Sequence, residues 1–169
     1  MHTPFDPHRP MRSWVATLDQ LSLSDEAGDA EVTATLPPVF RRMYPEFRRH
    51  HVVSPEGQSF DSFRGYIRGL DATLPTMDDL ETAPELCRWS LVRRPASAYC
   101  QLTGYVTGHP QLDWGSPVVT STVFRIGPGL QWARTWSRFY RLTEYDPTIL
   151  ERMHATGVIS RDAQMVQID

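Results

Sequence analysis

Between residues 130 and 142 the chain reads LQWARTWSRFYRL, with Trp132, Arg134, Trp136, Arg138 and Tyr140 at every second position. Side chains two apart share one face of an extended strand. A single strand here would therefore carry three rings and two guanidinium groups on one side. That combination suits single-stranded nucleic acid, because rings stack on bases while cations follow the phosphates, and each stacked base contributes about 1–3 kcal/mol. The same residues also suit a core in which indoles pack under helices and arginines reach past them to acidic groups. Both readings stay open at the level of sequence.

Three other groups of residues carry chemistry. His109 stands in TGHP, between two strand-like stretches, where it could serve as a general base with Thr120, Ser121 or Ser137 as nucleophile. No Gly-x-Ser-x-Gly elbow accompanies it, and a histidine capping a turn is the simpler expectation. Arg41, Arg42, Arg48 and Arg49 in FRRMYPEFRRHH form a second basic cluster, able to meet phosphates or to face solvent beside acidic neighbours. His50 and His51 are adjacent, so their side chains diverge on a helix, and a shared metal is not expected. Cys87 and Cys100 lack metal-ligand spacing and are expected as buried reduced thiols. No phosphate-binding loop, dinucleotide fingerprint or calcium loop occurs, so neither metal nor cofactor is expected.

The elements that must hold these residues change character along the chain. Trp14, Val15, Leu18 and Leu21 recur at helical steps, as do Val39, Phe40, Met43 and Phe47, although Pro45 limits that helix to a short or kinked one. SDEAGDAE and SPEGQS read as polar breaks. Phe60, Phe63, Ile67 and Leu70 mark another helix. Thr76 and Asp79 make a capping box for a helix with Met77 and Leu80, and Pro84 leaves open whether Leu86 belongs to it. After Cys87 the period drops to two. Strands are predicted over RWSLVRR, over 97–107, over 118–126 and over 131–142, with GHPQLDWGSP and GPG as turns. A short helix through Leu150 and Met153 and an extended end complete the chain.

Composition bounds the rest. The 169 residues suit one domain with an appendage. The 14 prolines exceed an average share of about 5% and favour short elements. Every one of the 17 basic residues is arginine, a planar fork suited to carboxylate, phosphate and ring faces. Net charge is -3 at pH 7, but unevenly spread. Residues 1–85 hold eight arginines against fourteen acids, whereas residues 86–143 hold seven against Asp113 alone. No apolar run reaches membrane-spanning length and the N-terminus lacks a signal-like core, so a cytoplasmic protein without a membrane partner is expected.

APELCRW, RRP, LTGYVTGHPQL, TST and ARTWSRFYRL together resemble a family of small bacterial proteins of unknown function. Its pattern is a G-x-V-x-G-H-P loop, a Thr-Ser pair and an A-R-T-x-S-R-x-Y-R-L ending. Here these fall on Gly104, Val106, Gly108, His109, Pro110, Thr120, Ser121, Arg134, Thr135, Ser137, Arg138, Tyr140, Arg141 and Leu142, within residues 83–142. The resemblance implies a module boundary and no mechanism.

The resulting expectation is an α+β fold: an acidic helical portion over 1–82, an antiparallel β meander or partly closed barrel over 83–145, and a short helix and tail over 146–169. The expected function is a non-enzymatic interaction protein, an adaptor or inhibitor. It would act on a protein partner through the acidic helices and the basic-aromatic β module, on a nucleic-acid-handling machine in one version. The alternative is direct binding of single-stranded nucleic acid, and a third reading is a small hydrolase or transferase centred on His109. Oligomeric state is left open.

Overall fold

The computed structural model describes residues 5–51 and 59–169, and the SPEGQS break falls almost wholly outside them. The fold is α+β, in two compact units: Arg12–Ala72, and Met1–Met11 with Thr73–Asp169.

The first unit is helical: α1 (Arg12–Gln20), α2 (Asp29–Thr35), α3 (Pro38–Arg41), α4 (Met43–His50) and α5 (Ser59–Ala72). α2 begins inside SDEAGDAE, predicted as loop, because Asp29 and Glu31 favour a helix N-terminus and Val32 is buried. The break in the next segment falls at Arg42 rather than at Pro45. Pro45 sits in the first turn of α4, where a missing N–H leaves no intrahelical bond unmade. Phe63 of α5 is the hub of this unit's core, edge-on to Phe40 at 6.2 Å, Tyr44 at 5.2 Å and Phe47 at 5.4 Å.

In the second unit α6 (Met77–Thr82) opens with the capping box expected of Thr76 and Asp79, both reciprocal bonds being present. It ends before Pro84, and Leu86 belongs to a strand. β1 (Glu85–Arg93), β2 (Cys100–Thr107), β3 (Ser116–Val119), β4 (Val123–Ile126), β5 (Trp132–Thr135), β6 (Phe139–Leu142) and β7 (Gln164–Val166) form one sheet, with α7 (Ile149–Thr156) before β7. Its order is β3-β2-β1-β6-β5-β4, and β7 also pairs with β1.

The antiparallel meander or barrel is thereby corrected to an unclosed mixed sheet. β1-β2-β3 and β4-β5-β6 are each antiparallel meanders, but they join through a parallel pairing of β1 with β6, Glu85 beside Arg141 and Leu86 beside Leu142. The chain cannot continue one meander into the other because Thr120–Thr122 turns it away, splitting the single strand predicted over 118–126.

One sheet face carries the apolar cluster of Leu86, Leu91, Leu102, Val106, Val123, Ala133, Tyr140 and Leu142. The opposite face packs on the two helices, Val92 and Tyr105 with Ile149 and Met153 of α7, and Trp132 and Phe139 with Leu80 of α6. β1 bulges between Cys87 and Ser90, with Arg88 at φ 49°. Gly104 lies across from the bulge, and a Cβ there would stand 2.9 Å from the Cys87 carbonyl oxygen. That close approach accounts for the first glycine of LTGYVTGHP.

Candidate functional site

The stripe predicted over 130–142 does not exist as one face. β5 and β6 are two strands of a hairpin, pairing Trp132 with Arg141, Ala133 with Tyr140 and Arg134 with Phe139. The strand period is interrupted at 136–138, so alternation on the two sides of the turn is out of step. Trp132 and Arg134 face α6, while Tyr140 enters the cluster on the other side of the sheet. Trp132 is 8% exposed and Tyr140 5%. Trp136 and Arg138 are half-buried at the turn. Three rings on one strand face are thus replaced by two core rings on opposite faces and one turn ring.

Hydroxyl groups hold that turn. Thr135 Oγ1 donates to the Arg138 carbonyl at 3.0 Å and accepts from the Arg138 N–H at 3.3 Å, while the Thr135 N–H donates to the same carbonyl at 2.9 Å. The Ser137 N–H donates to Ser121 Oγ at 3.1 Å, the two serine oxygens lie 3.1 Å apart, and the Trp136 N–H donates to the Thr122 carbonyl at 2.7 Å. Thr120 Oγ1 accepts from the Leu102 N–H at 3.0 Å and donates to the Ser121 carbonyl at 2.9 Å. The hydroxyls that could have served as nucleophiles beside His109 therefore fasten the 120–122 and 135–138 turns to each other and to β2.

Register places the TGHP loop at the same end of the sheet. Thr107, Glu85, Arg141 and Trp132 lie side by side across four strands. The chain leaving β2 after Thr107 and the chain entering β6 before Phe139 thus share one end. Gly108 and Gly115, at φ 71° and 75°, bound the loop, a conformation that costs glycine little. The Gly115 N–H donates to the Val106 carbonyl at 2.7 Å, and the Ser116 N–H to the Asp113 carbonyl at 3.2 Å. From this fixed frame Trp114 projects 84% exposed and Leu112 44%. Sequence reasoning passed over both, because a loop has no period to read; the signal was the pair of glycines enclosing a short stretch that still holds a leucine and a tryptophan.

His109 caps the loop as expected. Its Nδ1 accepts the Gln111 backbone N–H at 3.1 Å. A backbone N–H can only donate, so the neutral ring must carry its proton on Nε2 and present a donor there. Burial, and then the charge of Arg138, hold the imidazole below the usual histidine range, which keeps it neutral at pH 7. A ring whose acceptor nitrogen is already occupied is poorly suited to take a proton from a substrate.

Charges around the site divide into committed and uncommitted. Arg134 lies over the Phe139 ring at 4.8 Å, and its charge helps hold Asp79 below the usual carboxylate range, after the Thr76 hydrogen bonds. Arg141 reaches Glu85 at 3.8 Å and the Ala83 carbonyl at 3.4 Å. Among the described residues Arg138 makes no ion pair, and its Nε is buried without an acceptor.

In the helical unit the second basic cluster is spent on local contacts. Arg41 donates to the Leu36 carbonyl at 2.9 Å, Arg48 meets Asp29 at 3.0 Å and Arg49 meets Glu46 at 2.8 Å. Arg42 stands at the α3–α4 junction and also has a partner. His51 stacks on Phe47 at 4.6 Å, while His50 faces Glu46 at 3.6 Å.

Among the described residues no three His, Cys, Asp or Glu side chains gather as a metal site, and no helix is long and apolar enough to cross a membrane. Cys100 is buried, which pushes its thiol up to about 11. Cys87, expected to be buried, is only half-buried, with Sγ 3.8 Å from Glu144 Oε2, because it lies on the edge of the bulge.

These features define an α+β module whose sheet end carries a stiff apolar loop beside an unpaired arginine. The chain belongs to the family of unknown function DUF6634, which matches residues 54–164 and so takes in α5 through α7 and the start of β7. Neither a curated protein nor a solved structure matches it.

Proposed function

We propose that the protein is a non-enzymatic interaction module that engages a protein partner through the 108–115 loop and the adjoining 135–138 turn. The observation that carries this reading is the indole of Trp114, 84% exposed on a loop bounded by two glycines with positive φ and tied down at its end by backbone hydrogen bonds. Exposing a large ring costs hydrophobic free energy that a partner's surface recovers, and tryptophan is enriched among residues that dominate binding. Rigidity adds to this, since a loop already in shape loses little entropy on docking.

The catalytic reading lacks support from the same geometry, because His109 offers a donor rather than an acceptor and the nearby hydroxyls bond to one another. The nucleic-acid reading keeps Arg134, Arg138 and Trp136 at partial exposure but loses Trp132 and Tyr140 to the core.

Capture of partners by the full chain from cells of the source organism, in parallel with Trp114→Ala and Trp136→Ala, tests the proposal. One protein retained by the unaltered chain and lost with Trp114→Ala is the expected outcome. Retention by all three, or salt-sensitive binding of a single-stranded oligonucleotide weakened by Trp136→Ala, would replace it.

A further inference from the structure

An unpaired cation beside an exposed apolar anchor narrows what the partner must bring. Each hairpin arginine other than Arg138 has a home partner: Arg134 has the Phe139 ring and faces Asp79, and Arg141 has Glu85. Arg138 is half-buried, so it has lost part of its hydration, yet no carboxylate among the described residues repays that loss. The one acid of the loop, Asp113, makes no ion pair with it. Leaving a partly desolvated cation unpaired is costly, whereas supplying its anion is favourable.

His109 adds a second donor at the same end of the sheet. Its Nε2–H is fixed by the Gln111 bond to Nδ1, and the Arg138 charge is close enough to be felt at the imidazole. Two donors at the sheet end that also carries the exposed Leu112 and Trp114 describe half of an interface.

We propose that Arg138 and His109 together receive a carboxylate, and that the segment docking on the 108–115 loop is an acidic peptide with a large apolar residue close to that carboxylate. This rests on the interaction reading above and specifies its partner. The apolar residue covers Leu112 and Trp114, while the carboxylate accepts from the guanidinium and from Nε2–H. A side-chain carboxylate and a C-terminal carboxylate supply the same chemistry. Phosphate would satisfy Arg138 equally well, but a nucleic acid gains nothing from Leu112, whereas a peptide with one carboxylate beside a large apolar residue uses both the cation and the apolar pair.

A random peptide library displayed on phage, selected against the full chain, is the test. Half of the library carries a free C-terminus and half an amidated or buried one, which separates the two sources of carboxylate. The expected result is enrichment of Asp, Glu or a free C-terminus near Leu, Phe, Trp or Met. Selection against Arg138→Gln should keep the apolar preference and lose the acidic one. A synthetic peptide of the enriched sequence should bind Arg138→Gln roughly tenfold to hundredfold more weakly, the usual loss for a hydrogen bond to a charged group. His109→Ala should produce a smaller loss in the same direction.

The backbone bonds of Thr135 to Arg138 do not involve the guanidinium and the unpaired cation is costly, so a urea midpoint for Arg138→Gln that is unchanged or slightly raised should accompany the loss. Apolar enrichment without acids, or acids still selected by Arg138→Gln, overturns the carboxylate assignment and leaves the interaction reading intact. No enrichment of any kind removes both, and tighter binding of a single-stranded oligonucleotide than of any selected peptide assigns Arg138 to phosphate instead.

Discussion

Trp132 lies in β5 against Phe139 and Leu80, with its indole seated where a side chain on Gly127 would have to be. Trp114 stands in a loop, almost wholly in solvent. Both indoles belong to one unit, and both flank residues that drew attention in the sequence. The difference between them comes from what the backbone does on either side. Around Trp132 the chain turns back on itself at 136–138, and the returning strand brings Phe139 edge-on at 5.9 Å. Around Trp114 the glycines at 108 and 115 bound a loop that no other described element covers. Exposure is therefore set by turn chemistry rather than by the local run of rings and arginines.

Stability measurements should separate the two indoles most sharply. Trp132→Ala should destabilise by about 3–5 kcal/mol, the range for large aromatic truncations in cores, read from urea unfolding. Trp114→Ala should stay within about 0.5 kcal/mol, as exposed substitutions do. Equal losses for both would erase the contrast.

Thr135→Val comes next. It keeps the shape of a side chain that is fully buried but removes the donor and acceptor that close the turn. A loss of about 1–3 kcal/mol follows from leaving buried polar groups unpaired. Thr76→Ala removes the cap of α6, whose Leu80 packs on Trp132, and should cost about 0.5–2 kcal/mol.

The smallest effect concerns pH. The folded state holds His109 below its ordinary range, so the unfolded chain binds its proton more readily. The neutral ring's contribution is complete above the unfolded histidine value and is lost as pH falls below it towards the folded one. Stability of the unaltered chain should fall across that window slightly more than that of His109→Gln. An opposite slope would mean that the ring is charged when folded.

Much of the fold was legible wherever a period ran unbroken. Val15 and Leu18 in α1, Phe63 and Ile67 in α5, and Cys100, Leu102 and Val106 in β2 sit inside as their spacing required. The Thr76–Asp79 box was legible because its two bonds are local. What stayed hidden depended on pairings distant in sequence. Nothing near Glu85 announces that Arg141 will lie beside it in parallel, and Thr-Ser-Thr at 120–122 is compatible with an unbroken strand until its hydroxyl partners at 135–138 are known. His109 was legible as a cap. Trp114 was not legible as a surface, since its exposure depends on how the rest of the described chain packs around the loop.

A photo-crosslinking amino acid placed at Leu112 in the living source organism tests most directly whether this loop is the contact surface. Leu112 shares the loop with Trp114, and Arg161, also exposed but in the chain after α7, serves as the control position. The account predicts a discrete adduct with one protein from position 112, absent from position 161 and abolished by Trp114→Ala. Crosslinks to nucleic acid, matching adducts from both positions, or none from 112 would contradict it.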